Sequence, residues 1–364
     1  MMTAELWFGA IGLVVSRILF RKFPMLPNHQ QGGHASGLSV IIPARNEAHN
    51  LPNLLTDLAG QTMQSLEILC VNDDSEDDTA TVAAAYGATV LQAADRPAGW
   101  LGKAWACECG ARFAKGEYLL FIDADVRLAP NALAALWAEY SRNQAVISVQ
   151  PYHSVAGGYE QLALVFNLVQ AGANGMCLPR QSAVGLYGPL IWISRAIYDQ
   201  VGGYASVRSS IVEDVALGSR LLSNGYPLRL LAGGGEVRFR MYRDGLASLV
   251  QGWTKNFAAG ATKSPLWLTL LVFLWVTGCA AVPLGLFLSL FAAQWSASVL
   301  FSLLYLAWVS EMWRVGRKIG GFQPFAFAFY PLSLGLFVWV FLRSTVKRLL
   351  KRPVQWKNRS IPWG

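Results

Sequence analysis

The sequence predicts an α/β domain with a mainly parallel sheet, carried between membrane helices at the two ends of the chain. Three observations predict it. Short apolar runs alternate with helix-spaced leucines and alanines from residue 38 to about residue 261. Several of these runs end on acids or bases, as in an open sheet that binds ligand beyond the carboxyl ends of its strands. The composition, 54% hydrophobic and 14% charged with a mean hydropathy of +0.34, is too apolar for an ordinary soluble enzyme of 364 residues.

Residues 6–20 are apolar except for Ser16 and Arg17, and Arg21 and Lys22 follow. A signal peptide carries its positive charge before the apolar run, and here it comes after. The positive-inside rule then puts the N-terminus outside and the chain after Lys22 in the cytoplasm. The run is short for a full crossing, so Arg17 is expected to snorkel to the inner interface. A monotopic anchor lying in the membrane surface is the alternative. On this basis residues 1–24 are the anchor and 25–37, with Pro, Gly, Asn and His, a linker.

The alternating region begins with a strand at 38–42, closed by Pro43. Leu51, Leu54, Leu55 and Leu58 follow at helical spacing. A second strand at 66–71 ends on Asn72-Asp73-Asp74-Ser75. A helix at 79–86, a strand at 88–91, a helix at 103–114 and a strand at 118–122 complete a βαβαβ order, which calls for parallel pairing. The strand at 118–122 ends on Asp123-Ala124-Asp125. Two carboxylates at a strand end suit a divalent cation, Mg²⁺ or Mn²⁺, which takes hard oxygens and shares them with substrate phosphates. The structural alternative is a turn with an Asp capping the helix that Pro130 introduces.

The other strand ends are polar as well. Ala44-Arg45-Asn46-Glu47 follows the first strand and Asp73-Asp74 the second; Arg96 and the loop Gly99-Trp100-Leu101-Gly102-Lys103 come next. A carboxylate at 73 can accept hydrogen bonds from a nucleobase or ribose. Lys103 on a glycine loop can approach a diphosphate as a point charge. A metal on Asp125 can hold the same diphosphate and stabilise its departure.

These stretches together carry a resemblance. The ordered set Val40-Ile41-Ile42-Pro43-Ala44-Arg45-Asn46-Glu47, Val71-Asn72-Asp73-Asp74-Ser75, Gly102-Lys103-Ala104 and Asp123-Ala124-Asp125 resembles family 2 glycosyltransferases of the GT-A fold. Val212-Glu213-Asp214-Val215-Ala216-Leu217 is similar to the acidic motif of that family, whose Asp is the catalytic base. The likeness covers residues 38 to about 261, and implies a GT-A domain at 38–262. It implies a nucleotide-sugar donor, UDP-glucose first, held by Pro43, Ala44, Arg45, Glu47, Asp73, Lys103, Asp123 and Asp125. It also implies an inverting displacement with Asp214 as base. Read without the resemblance, Glu213 and Asp214 are equally acids at a helix N-terminus, where the dipole favours them.

The Gly-Trp-Leu-Gly-Lys loop and Gly252-Trp253-Thr254-Lys255-Asn256 further resemble bacterial carotenoid (staphyloxanthin-type) and hopanoid-associated glycosyltransferases. That likeness implies a lipid acceptor, with Glu213, Gln251, Trp253 and Lys255 in the acceptor or diphosphate region. Processive polysaccharide synthases carry Gln-x-x-Arg-Trp, whereas Gln251 here precedes Gly252-Trp253-Thr254-Lys255, which argues against processive synthesis. Transfer to a hopanoid, a diacylglycerol or a polyprenyl phosphate is the enzymatic alternative. A non-catalytic membrane scaffold is the alternative of another class, and the intact acids argue against it. Residues 159–169 are a strongly apolar helical run, either core or a lipid-facing wall of the acceptor site. Arg180, Arg195 and His153 stand near it as polar residues without an assigned role.

The end of the chain returns to membrane. Residues 266–310 are apolar but for Gln294 and suffice for two crossings at about 20 residues each. Arg314, Arg317 and Lys318 follow, then a third apolar stretch at 322–342 containing Pro324 and Pro331. The last residues carry Arg343, Lys347, Arg348, Lys351, Arg352, Lys357 and Arg359 without an acid. A full third crossing would put these charges outside, against the positive-inside rule. Residues 322–342, broken at Pro331, are therefore expected to be re-entrant or interfacial within a membrane region at 263–345, leaving 346–364 as a cytoplasmic tail. The net charge of +8 thus points to anionic lipid headgroups and away from nucleic acid. The five cysteines show neither metal nor disulfide spacing and are expected to pack in the core of a protein from a reducing compartment.

Overall fold

A computed structural model describes residues 2–28, 37–260, 264–350, 354–356 and 359–361. Much of the expected linker, together with Lys351, Arg352 and Lys357 of the basic tail, lies outside the described residues. Up to residue 153 the elements are α1 (Met2–Leu19), β1 (Leu38–Ala44), α2 (Leu51–Ala59), β2 (Glu67–Asn72), α3 (Thr79–Ala85), β3 (Thr89–Gln92), α4 (Gly102–Phe113), β4 (Tyr118–Ile122), β5 (Val126–Leu128), α5 (Ala132–Asn143), β6 (Val146–Gln150) and β7 (Tyr152–His153). Then come α6 (Leu164–Ala173), β8 (Leu190–Ser194), α7 (Arg195–Gln200), α8 (Glu213–Ser223), β9 (Leu228–Ala232), β10 (Val237–Phe239), α9 (Leu246–Gly260), α10 (Leu266–Phe291), α11 (Trp295–Gly316), α12 (Pro324–Ala328) and α13 (Tyr330–Leu349). A short hairpin, Val354–Trp356 with Arg359–Ile361, follows.

The chain forms two compact units, one of residues 24–153 with 185–241 and the other of 1–23, 154–184 and 242–363. The first holds a seven-stranded sheet in the order β3-β2-β1-β4-β8-β6-β9. Pairs β1–β2, β1–β4, β2–β3 and β6–β9 are parallel, whereas β8 runs antiparallel to both β4 and β6. The sheet is thus mixed and mostly parallel. The expected βαβαβ order is present, and the antiparallel β8 is the departure. A second sheet, β5-β10-β7, lies in the same unit.

The continuous apolar strands follow from burial on both faces. Val40 and Ile42 of β1 and Leu120 and Ile122 of β4 pack with Leu51, Leu54, Leu55 and Leu58 of α2 and Leu133 and Leu136 of α5. Ile41, Leu119 and Phe121 join a separate core with Ala104, Cys107 and Ala111 of α4 and Leu217 and Leu221 of α8. Pro43 does not close β1, which continues to Ala44. The β1–β4 pairing ends at Ile41↔Phe121, so the missing N–H of Pro43 falls beyond it, and β2 still pairs with Pro43 through Val71. The five cysteines are free, and all but Cys109 are buried, in accord with a packing role.

The second unit is helical. Helices α10 and α11 are long and apolar enough to cross a membrane, with mean hydropathies of 2.2 and 1.2, and α1 is not among such helices. Helix α1 lies beside α11: the Trp308 indole N–H donates to Gly9 O (3.2 Å), and Ser16 Oγ donates to Glu311 Oε1 (2.8 Å). Arg17, which the sequence alone leaves to snorkel, pairs with buried Glu311 at 3.2 Å. The apolar stretch at 322–342 is interrupted at Phe329, with Pro324 and Pro331 each in the first turn of its own helix, where a missing N–H costs nothing. Tyr330, at the start of α13, donates to Cys279 O in the middle of α10 (3.2 Å).

Helix α4 approaches the sheet closely because residue 110 is glycine. A Cβ built there would stand 3.0 Å from Val71 Cγ2 and closer still to Ile41 Cγ2. Gly110→Ala is expected to destabilise the protein by about 1–3 kcal/mol through overpacking. The check is the midpoint of thermal unfolding against that of Cys109→Ala, a half-buried neighbour that should leave it nearly unchanged.

Candidate active site

The loops after β1 and β2 form one cross-braced shelf at the carboxyl edge of the sheet. Pro43 and Ala44 end β1, and Ala44 O accepts the Asp73 N–H (2.8 Å). The Arg45 guanidinium turns onto the next loop, donating to Asp73 O (3.0 Å) and Asp74 O (2.9 Å), with the Asp74 and Glu76 carboxylates each at 3.5 Å. Asn46 and Asp74 hold left-handed φ of 52° and 56°, which Asn and Asp tolerate better than most residues. The Asn46 side chain accepts the Glu76 N–H (2.8 Å), and Ser75 Oγ accepts the Asn46 N–H (3.0 Å). Glu47 is fixed through its N–H to Thr79 Oγ1 (2.8 Å) and through its carboxylate to the Asn50 amide (2.6 Å). Asp73, itself buried, sits between these braces.

Beside this shelf, Lys103 lies in the first turn of α4. The Leu101 N–H, just before the helix, donates to Arg208 O (3.0 Å), and Trp100 meets Trp105 edge-on at 5.0 Å. The Lys103 ammonium reaches Asp123 Oδ1 at 2.8 Å, Asp214 Oδ2 at 3.8 Å and Glu213 Oε1 at 3.9 Å. Burial works against this charge, but the carboxylates of Asp123, Asp214 and Glu213 outweigh it and hold the ammonium well above its ordinary value. Lys103 therefore stays protonated and bridges the two acidic motifs.

Asp123 and Asp125 form a tight turn in which the Val126 N–H donates to Asp123 O (3.1 Å). Strand β5 follows directly, so neither acid caps a helix; Asn131 stands at the start of α5. Glu213 and Asp214 do occupy the first turn of α8, so their place at a helix N-terminus and their place in the charged cluster are the same fact. Among the described residues no group of three or more His, Cys, Asp and Glu could hold a metal by protein ligands alone. The pair Asp123 and Asp125, half-buried at a strand end, fits Mg²⁺ or Mn²⁺, which keeps waters and substrate phosphates among its ligands.

Two residues of this cluster had no signal in the sequence. The hydroxyl of fully buried Tyr204 donates to Asp214 Oδ1 at 3.5 Å. Burial first, and then neighbouring negative groups including Asp214, push that hydroxyl well above its ordinary value, so it stays protonated. Gly188 lies on the other side of the same carboxylate, and its carbonyl accepts from Lys103 Nζ at 3.5 Å. No motif marks either residue, because only the antiparallel entry of β8 and the turn before α8 bring them here.

Gln251, Trp253 and Lys255 lie on α9, in the helical unit. Gln251 is exposed and Lys255 half-buried, while Trp253 is buried against Phe166 (5.1 Å) and Tyr242 (6.1 Å). Of the two readings of residues 159–169, core is the one the burial supports: Leu164, Val165, Phe166 and Leu168 are fully buried within that unit. Phe166 meets Phe337 at 5.5 Å, and the Val165 N–H donates to Ser333 Oγ (3.0 Å). Arg195 holds the end of α4, donating to the carbonyls of Ala111, Ala114 and Gly116 at 3.0, 2.6 and 2.9 Å. His153 is buried on β7 against Phe239, and Arg180 is exposed.

Replacing Lys103 by Met leaves three carboxylates facing one another. The raised Lys103 contributes stability that is fully present below its unfolded pKa of about 10.4 and is lost only as pH rises through the higher folded value. Its contribution is therefore constant across the neutral range. Lys103→Met is therefore expected to melt below wild type by a deficit that is the same at about pH 6 and at about pH 8. Unfolding scans at both pH values, wild type beside variant, read this directly.

The family described as Glycosyl transferase family 2 matches residues 39–215, which span the shelf, Lys103, Asp123, Asp125 and Asp214. A 4,4'-diaponeurosporenoate glycosyltransferase of Staphylococcus haemolyticus is 34% identical over 340 residues, covering 91% of this chain and 90% of the relative. The enzyme of the same name from Staphylococcus aureus is 32% identical over 356 residues, covering 96% of this chain and 94% of the relative. Among solved structures, a mannosyltransferase from Pyrobaculum calidifontis in complex with GDP-Man and Mn²⁺ superposes with a TM-score of 0.55 at 15% identity, over 96% of this chain and 97% of that one, a likeness of fold. The fold is GT-A-like, the identity extends over nearly the whole chain, and the protein belongs to the family 2 glycosyltransferases.

Proposed function

We propose that this glycosyltransferase moves a sugar, with inversion, from a nucleotide-sugar donor to the carboxylate of an apocarotenoid acid. The single observation that carries the reading is the meeting of Lys103 with Asp123, Glu213 and Asp214 at the carboxyl edge of the sheet. The donor's base and ribose lie on the shelf of Pro43, Ala44, Glu47 and Asp73, which Arg45 braces. Lys103 exchanges its carboxylate partners for the diphosphate as that group arrives. A divalent cation held by Asp125 and Asp123 offsets the diphosphate charge when bound. UDP-glucose is the donor that the family resemblance implies. The acceptor class rests on the relatives' names together with identity across both units.

In the displacement an acceptor oxygen forms a bond to the anomeric carbon. The bond from that carbon to the phosphate oxygen breaks, and its electron pair leaves on the diphosphate. A hydroxyl acceptor also releases a proton, which Asp214 takes. A carboxylic acid ionises near pH 4, so at neutral pH it attacks as an anion and releases no proton. Asp214→Asn is therefore expected to lose about 10²–10⁴ in rate with an alcohol-ended lipid and far less with the matched carboxylate. The check is turnover of UDP-glucose with the two lipids, in Mn²⁺ and in excess chelator. Activity that survives the chelator removes the metal from the reading, and equal loss on both lipids makes Asp214 a positioning group.

The helical unit supports a cell-membrane protein with the chain after Lys22 cytoplasmic. Helices α1 and α11 run the same way, since Gly9, Ser16 and Phe20 meet Trp308, Glu311 and Arg314 in order. Both end in cations, Arg17, Arg21 and Lys22 on one and Arg314, Arg317 and Lys318 on the other, which supports a cytoplasmic side for those ends. From there α12 leads inward to Tyr330, at the middle of α10, and α13 returns beside α6 and α9, where Ser344 Oγ donates to Thr254 O (2.9 Å). That course supports a re-entrant path. A reporter fused after Trp363, which lies outside the described residues, should read cytoplasmic; an external reading makes residues 322–342 a full span.

A further inference from the structure

We infer that Tyr204 and Gly188 are positioning residues that fix the carboxylate of Asp214 from two sides. The inference rests on the reading of Asp214 as the group that takes the proton of a hydroxyl nucleophile, water included. Tyr204 is fully buried and donates to Asp214 Oδ1 at 3.5 Å. Tyr204 is itself held, because its N–H donates to the Tyr198 hydroxyl (3.1 Å), and that hydroxyl donates to buried Glu108 on α4 (2.8 Å). Its ring packs edge-on to Phe121 of β4 at 5.2 Å. On the opposite side a Cβ at Gly188 would stand 2.6 Å from Asp214 Cγ, closer still to Oδ2, and 3.1 Å from Lys103 Nζ. The glycine is required by space: any side chain there pushes the carboxylate away from Lys103. One oxygen of Asp214 thus faces the tyrosine, and the other faces Gly188 with the ammonium 3.8 Å away.

The consequence is a division of labour around one carboxylate. Lys103 supplies the compensating charge, Tyr204 sets the rotation of the group, and Gly188 leaves the volume it occupies. A general base displaced by about 1 Å can lose about 10²-fold in rate. Removing one hydrogen bond to a charged group should cost about tenfold.

Donor hydrolysis tests this without an acceptor lipid. Water attacks the anomeric carbon, its proton passes to Asp214, and the nucleoside diphosphate leaves with the electron pair of the broken bond. The full-length protein in detergent is assayed with UDP-glucose and Mn²⁺. Tyr204→Phe is expected to lower kcat about tenfold and Gly188→Ala about 10²-fold, with KM for the donor unchanged; Gly188→Ala should also melt lower, as Gly110→Ala does, so kcat is read well below its unfolding midpoint. The double variant Tyr204→Phe with Asp214→Asn should be no slower than Asp214→Asn alone, since Tyr204 acts through Asp214. If Asp214→Asn hydrolyses the donor at the wild-type rate, the reading of Asp214 as base fails and the inference falls with it. If Asp214→Asn is impaired while Tyr204→Phe and Gly188→Ala keep wild-type kcat, the inference alone is overturned. A raised KM with unchanged kcat, or additive loss in the double variant, overturns it too.

Discussion

The charge balance at Lys103 is the interaction on which the site depends. Asp123, Glu213 and Asp214 come from two stretches about 90 residues apart in sequence, and all three face one ammonium. Acids this enclosed are tolerated when paired, and removing the shared partner leaves uncompensated charge. The pairing in turn requires α4 to lie close on the sheet, which Gly110 permits, and its C-terminal end to be held, which Arg195 does. A packing requirement at one end of a helix and a charge requirement at the other are met by the same twelve-residue element.

Most charged groups near the site hold structure, and a few are left to act. Arg45 spends its donors on the carbonyls of Asp73 and Asp74, Asn46 donates its N–H to Ser75 and accepts that of Glu76, and Glu47 is tied to Thr79 and Asn50. Such bonds fix loops that have no sheet partner for their own backbone groups. A binding surface made from loops needs this bracing, since a nucleotide held by a mobile edge would have to order it on arrival. The same economy operates in the helical unit, where one carboxylate, Glu311, pairs with both Arg17 and Arg314.

The helical unit also shows an apolar pattern that two environments share. Residues 159–169 have the composition of a lipid-facing surface, yet Phe166 is enclosed by Trp253 and Phe337, and Val165 by Ser333. Elsewhere in the unit Phe287, Leu303 and Leu332 are exposed, each more than half. Apolar composition separates membrane-facing from core residues only when the partners are known, because hydrocarbon and protein interior make nearly the same demand on a side chain.

The amino-acid sequence by itself determined the strand and helix order, the polar strand ends and the apolar helices. Each of these is a short-range pattern: two-sided burial writes continuous apolar strands at 38–42 and 118–122, and helical spacing writes Leu51 to Leu58. It also named Lys103, Asp123 and Asp214, because their motifs survive as short strings. Only the tertiary structure decided that these three meet, that β8 enters antiparallel, that Arg45 and Arg195 brace loops, and that Tyr204 and Gly188 flank Asp214. The reason is physical. Periodicity records which way a residue faces along its own element, whereas a side-chain contact between residues 26 or 85 positions apart depends on how separate elements pack, and no local pattern encodes that distance.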